Sequence, residues 1–504
     1  MGELSALRSR LGALELQAAL EVVSPWLAAK VEALARTRAV GLAPELLSFV
    51  VLKLTLSPAL EPAVDFATER VDGRLSRSLS AHRWGAASGV HAIEAFGAEW
   101  AEQDPSLQRA ITLLAVAVDA PPERREETLE DALTAALDGA RDRVVEFSNA
   151  IRGPAMGIYA FGVMLPLALI GLLPVLAASG GGLSPLALAV LYDALIPIGL
   201  TVSAGWLWAR RPAVSDAGFD DAILRHARPI KAAAVGLGAG IGAGLTVHLV
   251  GPSWMIPITA GGSAVGAGLA VGLHPAVEAR ARLDRLEARL PDAVTVVGQK
   301  LGEGAPIEAA VDAVAERFDG PLGDLFERAT GRQRRTGEPI DRVFLGPDGL
   351  LRDVPSQRTV AALSLTTTAA THGPPGGRTL LSVGEYLGSL QDVERAARRE
   401  LSQTTNTLKQ TAVVFAPAIA GVTVALATGM GAVDGSGQPV DVAALGRVVG
   451  VYVLQLGIVL PSLAVVLERG FDPVRMGFQS AVALGVGSVV YPLAFVAART
   501  LVYV

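Results

Sequence analysis

The chain has 504 residues, 51% of them hydrophobic and 18% charged, and its mean hydropathy is +0.43. That is too apolar for an ordinary soluble protein, and a formal charge of −6 gives no basic footprint for nucleic acid. There is no cysteine, which excludes disulfides and cysteine-ligated metal.

Residues 1–40 read as an amphipathic helical segment around Leu11, Leu14, Leu16, Ala19 and Leu20. Its charged start lacks an apolar h-region, so no cleavable signal peptide is expected. Residues 41–153 read as a first helical domain, broken at Gly85-Ala86-Ala87-Ser88-Gly89 and at Pro121-Pro122. From Glu123 to Asn149 runs a long helix whose alternating charges suit a solvated face. Residues 154–274 hold four apolar spans (155–176, 185–209, 230–250, 254–273), the first with no charge in 22 residues. About 20 residues suffice to cross a bilayer. Residues 275–411 read as a second helical domain, followed by three more spans (412–430, 448–467, 477–498). The fold class is therefore all-α: a polytopic membrane protein with about seven transmembrane helices and two helical-bundle domains. Lys and Arg gather at one set of span ends, among them Arg152, Arg210, Arg211, Arg228, Arg280, Arg398, Lys409, Arg469 and Arg475. Only Arg447 and Arg499 fall at the other set. The positive-inside rule then places both helical domains in the cytoplasm of a multi-pass cell-membrane protein.

The two domains are related. Pro44 to Leu75 recurs at Pro291 to Leu322, without a gap, at a constant offset of 247. Thirteen of the 32 paired positions are identical, including Lys53/Lys300, Glu61/Glu308, Asp65/Asp312, Arg70/Arg317 and Gly73/Gly320. In the second copy Pro291, Pro306, Pro321 and Pro339 stand where helices should start, and Gly302 or Gly304, Gly320 and Gly337 where they should stop.

Enzymatic signatures are missing. There is no phosphate loop, no His-Glu-x-x-His and no Gly-x-Ser-x-Gly, and the six histidines are scattered. No catalytic residue, metal or cofactor is expected. Three other features stand out. Asp193 is an acidic residue well inside an apolar stretch, either satisfied by a polar partner in the bundle or placed for function. Arg328, Arg332, Arg334 and Arg335, and then Arg395, Arg398 and Arg399, form two basic clusters, either solvated faces or a surface for an acidic partner. Gly236, Gly240 and Gly244, with Gly262 and Gly266, recur at a spacing of four in the third and fourth spans. Small residues so spaced let helix backbones approach in lipid, within one chain or between protomers.

Leu290-Pro291-Asp292-Ala293, Ala305-Pro306-Ile307-Glu308-Ala309-Ala310 and Thr336-Gly337-Glu338-Pro339-Ile340 resemble the second cytoplasmic domain of the type II secretion system F family. With the duplication and the spans that follow, the resemblance covers residues 290 to about 500 well and 44 to about 176 less well. The two extra spans between the copies resemble the longer archaeal or Tad-type form. The resemblance implies a non-enzymatic platform protein of type II secretion, a Tad or type IV pilus, or an archaellum. It implies a hexameric cytoplasmic secretion ATPase and pilin-like subunits as partners, membrane lipid around the spans, and a small homo-oligomer. The arginine clusters would then dock the ATPase. The rival readings are a transporter or channel, which calls for several intramembrane charges and broken spans, and a membrane scaffold unrelated to filaments.

Overall fold

The computed structural model describes residues 32, 35–36, 39–71, 73–83, 89–178, 184–210, 227–370, 374–431 and 441–502. The N-terminal amphipathic segment, the loop after the second span and the loop before the sixth lie largely or wholly outside these residues. The described chain is 90% helical with no strand, and seven of its helices are long and apolar enough to cross a membrane. It is an all-α, multi-pass membrane protein. The chain divides into two compact units, residues 1–143 with 209–214 and residues 144–208 with 215–504.

The first unit contains α1 (Ala43–Leu56), α2 (Leu60–Thr68), α3 (Arg74–Arg83), α4 (Val90–Trp100) and α5 (Pro105–Asp119). It also holds the start of α6 (Pro122–Tyr159), as far as Arg143. α1 is buried on nearly every side, with Leu46, Leu47, Phe49 and Val50 all below 3% exposed. Hydrophobic residues all round are what a central helix needs. Phe49 meets Phe66 of α2 edge-on at 6.2 Å, and the Arg70 guanidinium lies over that ring, 3.7 Å from its centroid. Burial pushes Arg70 below the usual guanidinium range. Asp104 caps α5 by accepting from Ser106 N (3.0 Å), and it is ion-paired to Arg143 of α6.

In the second unit the remainder of α6 passes through a π-turn, Ala160–Met164, into α7 (Leu165–Ala178). The second span is α8 (Pro185–Ala189), a π-turn Val190–Leu195, and α9 (Ile196–Arg210). The third is α10 (Pro229–Val250). The fourth opens α11 (Ile256–Gly302), a helix of 47 residues. Next come α12 (Ile307–Arg317), α13 (Pro321–Thr336), α14 (Ile340–Leu345) and α15 (Gln357–Ala370). α16 (Pro374–Gln410) leads through a π-turn, Thr411–Phe415, into α17 (Ala416–Gly431). α18 (Val442–Arg469) and α19 (Pro473–Val502) complete the spans. A core of Tyr192, Ala416, Val424, Tyr452, Leu456, Leu460, Tyr491 and Phe495 joins the membrane helices. Phe326 and Phe344, rings 5.6 Å apart, sit in the core of α13 and α14.

Both copies of the repeat fold into the same local pattern. α2 and α3 correspond at the offset of 247 to α12 and α13, and both Gly73 and Gly320 adopt positive φ (142° and 82°). A side chain there would be strained, so the shared glycine has a backbone reason. Helices begin at or just after Pro306, Pro321 and Pro339, as the punctuation predicts. The helix start expected at Pro291 does not occur: α11 runs straight through it. Proline at 291 cannot donate to the carbonyl of residue 287, and Gln391 Nε2 of α16 donates to Glu287 O instead (2.8 Å). The apolar row Leu283, Leu286, Leu290, Val294 keeps the same face buried across the proline. The sixth span also starts earlier than its apolar run, at Val442, because Asp441 accepts from Ala444 N (3.0 Å) and caps it.

Candidate functional site

Two prolines organise a polar cluster among the first, second and sixth spans. Pro166 follows one π-turn and Pro197 lies just after another, so the carbonyls of Gly162 and Asp193 each lose the donor normally found four residues on. In hydrocarbon no water can replace it. α18 supplies both replacements from one face: Tyr452 donates its hydroxyl to Gly162 O, and three residues later Gln455 Nε2 donates to Asp193 O (3.0 Å). Tyr192 donates to Pro166 O (2.7 Å) and meets Tyr452 edge-on, rings 5.6 Å apart. Tyr192 and Tyr452 are each 1% exposed or less. Asp193 is thus at a helix junction, its backbone held by Gln455. Its Oδ1 is buried without a hydrogen bond, and so is Gln455 Oε1. Tyr452 and Gln455 were not singled out in the sequence. The signal was available as the pair Pro166 and Pro197 inside spans, which demand donors elsewhere.

The glycine rows pack within the chain. A Cβ at Gly236 would sit 2.6 Å from Ala264 O, one at Gly240 2.9 Å from Ala260 O, and Gly244 lies against the Ala260 methyl, so α10 packs on α11. Gly262 meets Ser488, and a Cβ at Gly266 would fall 2.4 Å from Gly485 N, so α11 packs on α19. Ser263 and Ser488 are hydrogen-bonded across that contact (2.9 Å). Gly238 and Gly242 face open space beside the exposed Leu237, Ile241 and Leu245.

The arginine clusters are partly committed to the fold. Arg332 pairs with Glu338 (3.1 Å) and donates to Asp348 O (2.6 Å), and Arg334 pairs with Asp312 (2.8 Å). Arg328 is exposed and bonds the backbone of its own helix at Asp324 O. Arg335 is exposed and makes no ion pair among the described residues. In the second cluster Arg395 pairs with Asp392 (3.2 Å) and Arg398 with Glu394 (3.6 Å), while Arg399 is exposed. Glu394 is buried and also takes Arg358 of α15 (2.8 Å).

A further set of ion pairs ties the α18–α19 turn to α11 and α16; its cations stand among the span-end residues of the sequence, and their acidic partners are visible only in the fold. Lys409 holds both oxygens of Glu468 (2.8 Å each), and Asp284 takes Arg469 (3.0 Å) and Arg475. Asp472, 5% exposed, caps α19 by accepting from Arg475 N (3.1 Å) and faces Arg280 (3.5 Å). Among the described residues no group of three or more His, Asp or Glu converges to hold a metal.

Comparison with protein-family models, with curated proteins and with solved structures yields no match to this chain.

Proposed function

We propose that this chain is the membrane platform of a type IV filament or type II secretion machine, coupling a hexameric cytoplasmic ATPase to pilin-like subunits. One observation carries the reading. The duplicated helix set, α1 to α3 and α11 to α13, stands upstream of long helices that continue into spans, most plainly α16 through its π-turn into α17 (Gly376–Thr428, 53 residues). Movement imposed on such a helix is passed towards the bilayer along one continuous helical segment. In this reading both helical domains face the cytoplasm, and the clustering of arginines at one set of span ends supports that side. The ATPase docks on Arg328 and Arg335, the members of the first cluster not engaged in ion pairs, with Arg399 as an outlying contact. The chain works as a small homo-oligomer and performs no chemistry of its own.

A pull-down of the tagged protein in mild detergent, with partners identified by mass spectrometry, tests this. Recovery of a secretion-type ATPase, lost in Arg328→Glu/Arg335→Glu, supports the platform and the dock together. Recovery of neither ATPase nor pilin-like protein with the chain intact overturns the platform reading. A transporter is the second reading, and the π-turns and proline-freed carbonyls around Asp193 favour it, because transporters bind their ions at broken helices near the bilayer midplane.

A further inference from the structure

Gln455 is oriented by its bond to Asp193 O. With Nε2 committed there (3.0 Å), the amide presents Oε1 as an acceptor, and Oε1 is buried without a donor. Asp193 Oδ1 is in the same condition. Two acceptors cannot satisfy each other, the second Nε2 hydrogen of Gln455 does not reach Asp193 Oδ1, and the neighbouring hydroxyls are already spent: Tyr192 on Pro166 O, Tyr452 on Gly162 O. Among the described residues no fixed cation of the elements packed on the pair lies beside it. Residues 160–178 of the first span carry no charge. On the second span Arg210 lies 17 residues on, about 25 Å along a helix. On α18 Arg447 is eight residues away and Glu468 thirteen, about 12 and 20 Å. Tyr192 and Tyr452 are the other titratable groups at the site. A buried carboxylate oxygen and a buried amide oxygen left without donors among apolar helices are unfavourable. The arrangement calls for one positive charge.

We propose that Asp193 and Gln455 bind one monovalent cation, a proton or Na+, between the second and sixth spans. A proton places an O–H on the Asp193 carboxyl and turns one acceptor into the donor that the cluster needs. Na+ instead takes both oxygens into its shell, as hard cations take oxygen ligands. Either occupant neutralises the pair. Because Gln455 also holds Asp193 O, occupancy strengthens the contact of α18 with the second span. This holds whether or not the chain is a secretion platform.

The protein is placed in nanodiscs of zwitterionic lipid and its thermal unfolding midpoint is followed in two series. One replaces choline chloride by NaCl at constant ionic strength; the other varies pH without Na+. Bound cation stabilises the native state by mass action, so the wild-type midpoint rises with Na+, or with acidification, more than that of Asp193→Asn. A Na+ response identifies the metal ion, and a pH response alone identifies the proton. Equal responses of wild type and variant in both series overturn the proposal. If Asp193→Asn fails to insert, equilibrium binding of radiolabelled Na+ and the infrared band of a protonated carboxyl, both on the wild type, decide it. Absence of both signals overturns it equally.

Discussion

The two copies of the repeated unit share helices and a positive-φ glycine but are anchored differently. In the first copy Pro44 stands in the opening turn of α1. In the second its counterpart, Pro291, lies inside a helix that began in the membrane at Ile256. The proline is shared; what differs is a donor, Gln391, and an apolar row upstream that make continuation cheaper than a break. The second copy is thereby an extension of the fourth span. The copies also agree where identity has faded. The π-turns Ala160–Met164 and Thr411–Phe415 are 251 residues apart, as are Pro166 and Pro417, and as are Arg143 and Glu394. The last pair is informative. In each half the long helix makes a buried ion pair to the start of the helix before it: Arg143 to Asp104, and Glu394 to Arg358. The charges are exchanged.

That exchange predicts the largest effect. Asp104 sits at a helix N-terminus, where a negative charge is favoured; Arg358, in the first turn of α15, sits where a positive one is not. Glu394 offsets this, so Glu394→Ala should cost about 3–5 kcal/mol, as for a broken buried pair. Arg143→Ala should cost less, because Asp104 keeps the Ser106 N–H. Urea unfolding in detergent measures both. Glu394→Arg combined with Arg358→Glu should recover much of what Glu394→Arg loses. If the double variant is no better than the single one, the pair is not the coupling that matters.

Next in size is the anchoring of the second copy to its span. Gly266→Leu places a side chain against the backbone of Gly485 and should cost about 1–3 kcal/mol or more by overpacking. Gly238→Leu, on an open face, should leave thermal stability unchanged. A protomer-protomer role for Gly266 would show the reverse: Gly266→Leu of unchanged stability but altered assembly size on light scattering.

Helical periodicity, the repeat and all seven spans were legible in the sequence because each is a local or one-dimensional signal. Pro306, Pro321 and Pro339 marked helix starts correctly for the same reason. Pro291 did not, since its fate depends on Gln391, a hundred residues away and on another helix. Asp193 was visible as a charge in an apolar run, but its setting was not. Tyr452 and Gln455 are unremarkable residues until Pro166 and Pro197 are placed opposite them. The glycine rows announced close packing, and only the fold could say against what.

The π-turns sharpen the comparison at a smaller scale. Before Pro166 the freed carbonyl of Gly162 takes the Tyr452 hydroxyl. Tyr452→Phe leaves that carbonyl without its donor in hydrocarbon, and should lower stability by about 1–3 kcal/mol. Native-state hydrogen exchange should then rise around residues 160–166 and not around the corresponding turn at 411–417. Equal loosening of both turns would mean that Tyr452 acts through general packing.

The smallest expected effect separates the copies by pH. Arg74 of the first copy corresponds to Pro321 of the second, and Arg74 is ion-paired to Glu32. The Arg74 hydrogen bond holds the Glu32 carboxyl below its usual range. A carboxyl depressed in the folded state adds stability that is present above its unfolded pKa and lost as pH falls through the folded one. Glu32 is 43% exposed, so solvent screening keeps the gain to a few tenths of a kcal/mol. Glu32→Gln should therefore flatten slightly the acid limb of unfolding for the first unit alone, a difference that hydrogen exchange at acidic and neutral pH can resolve helix by helix. The second copy, with proline in place of Arg74, has no such pair to lose. Equal acid sensitivity of α3 and α13 in the wild type would show that carboxylates elsewhere govern both.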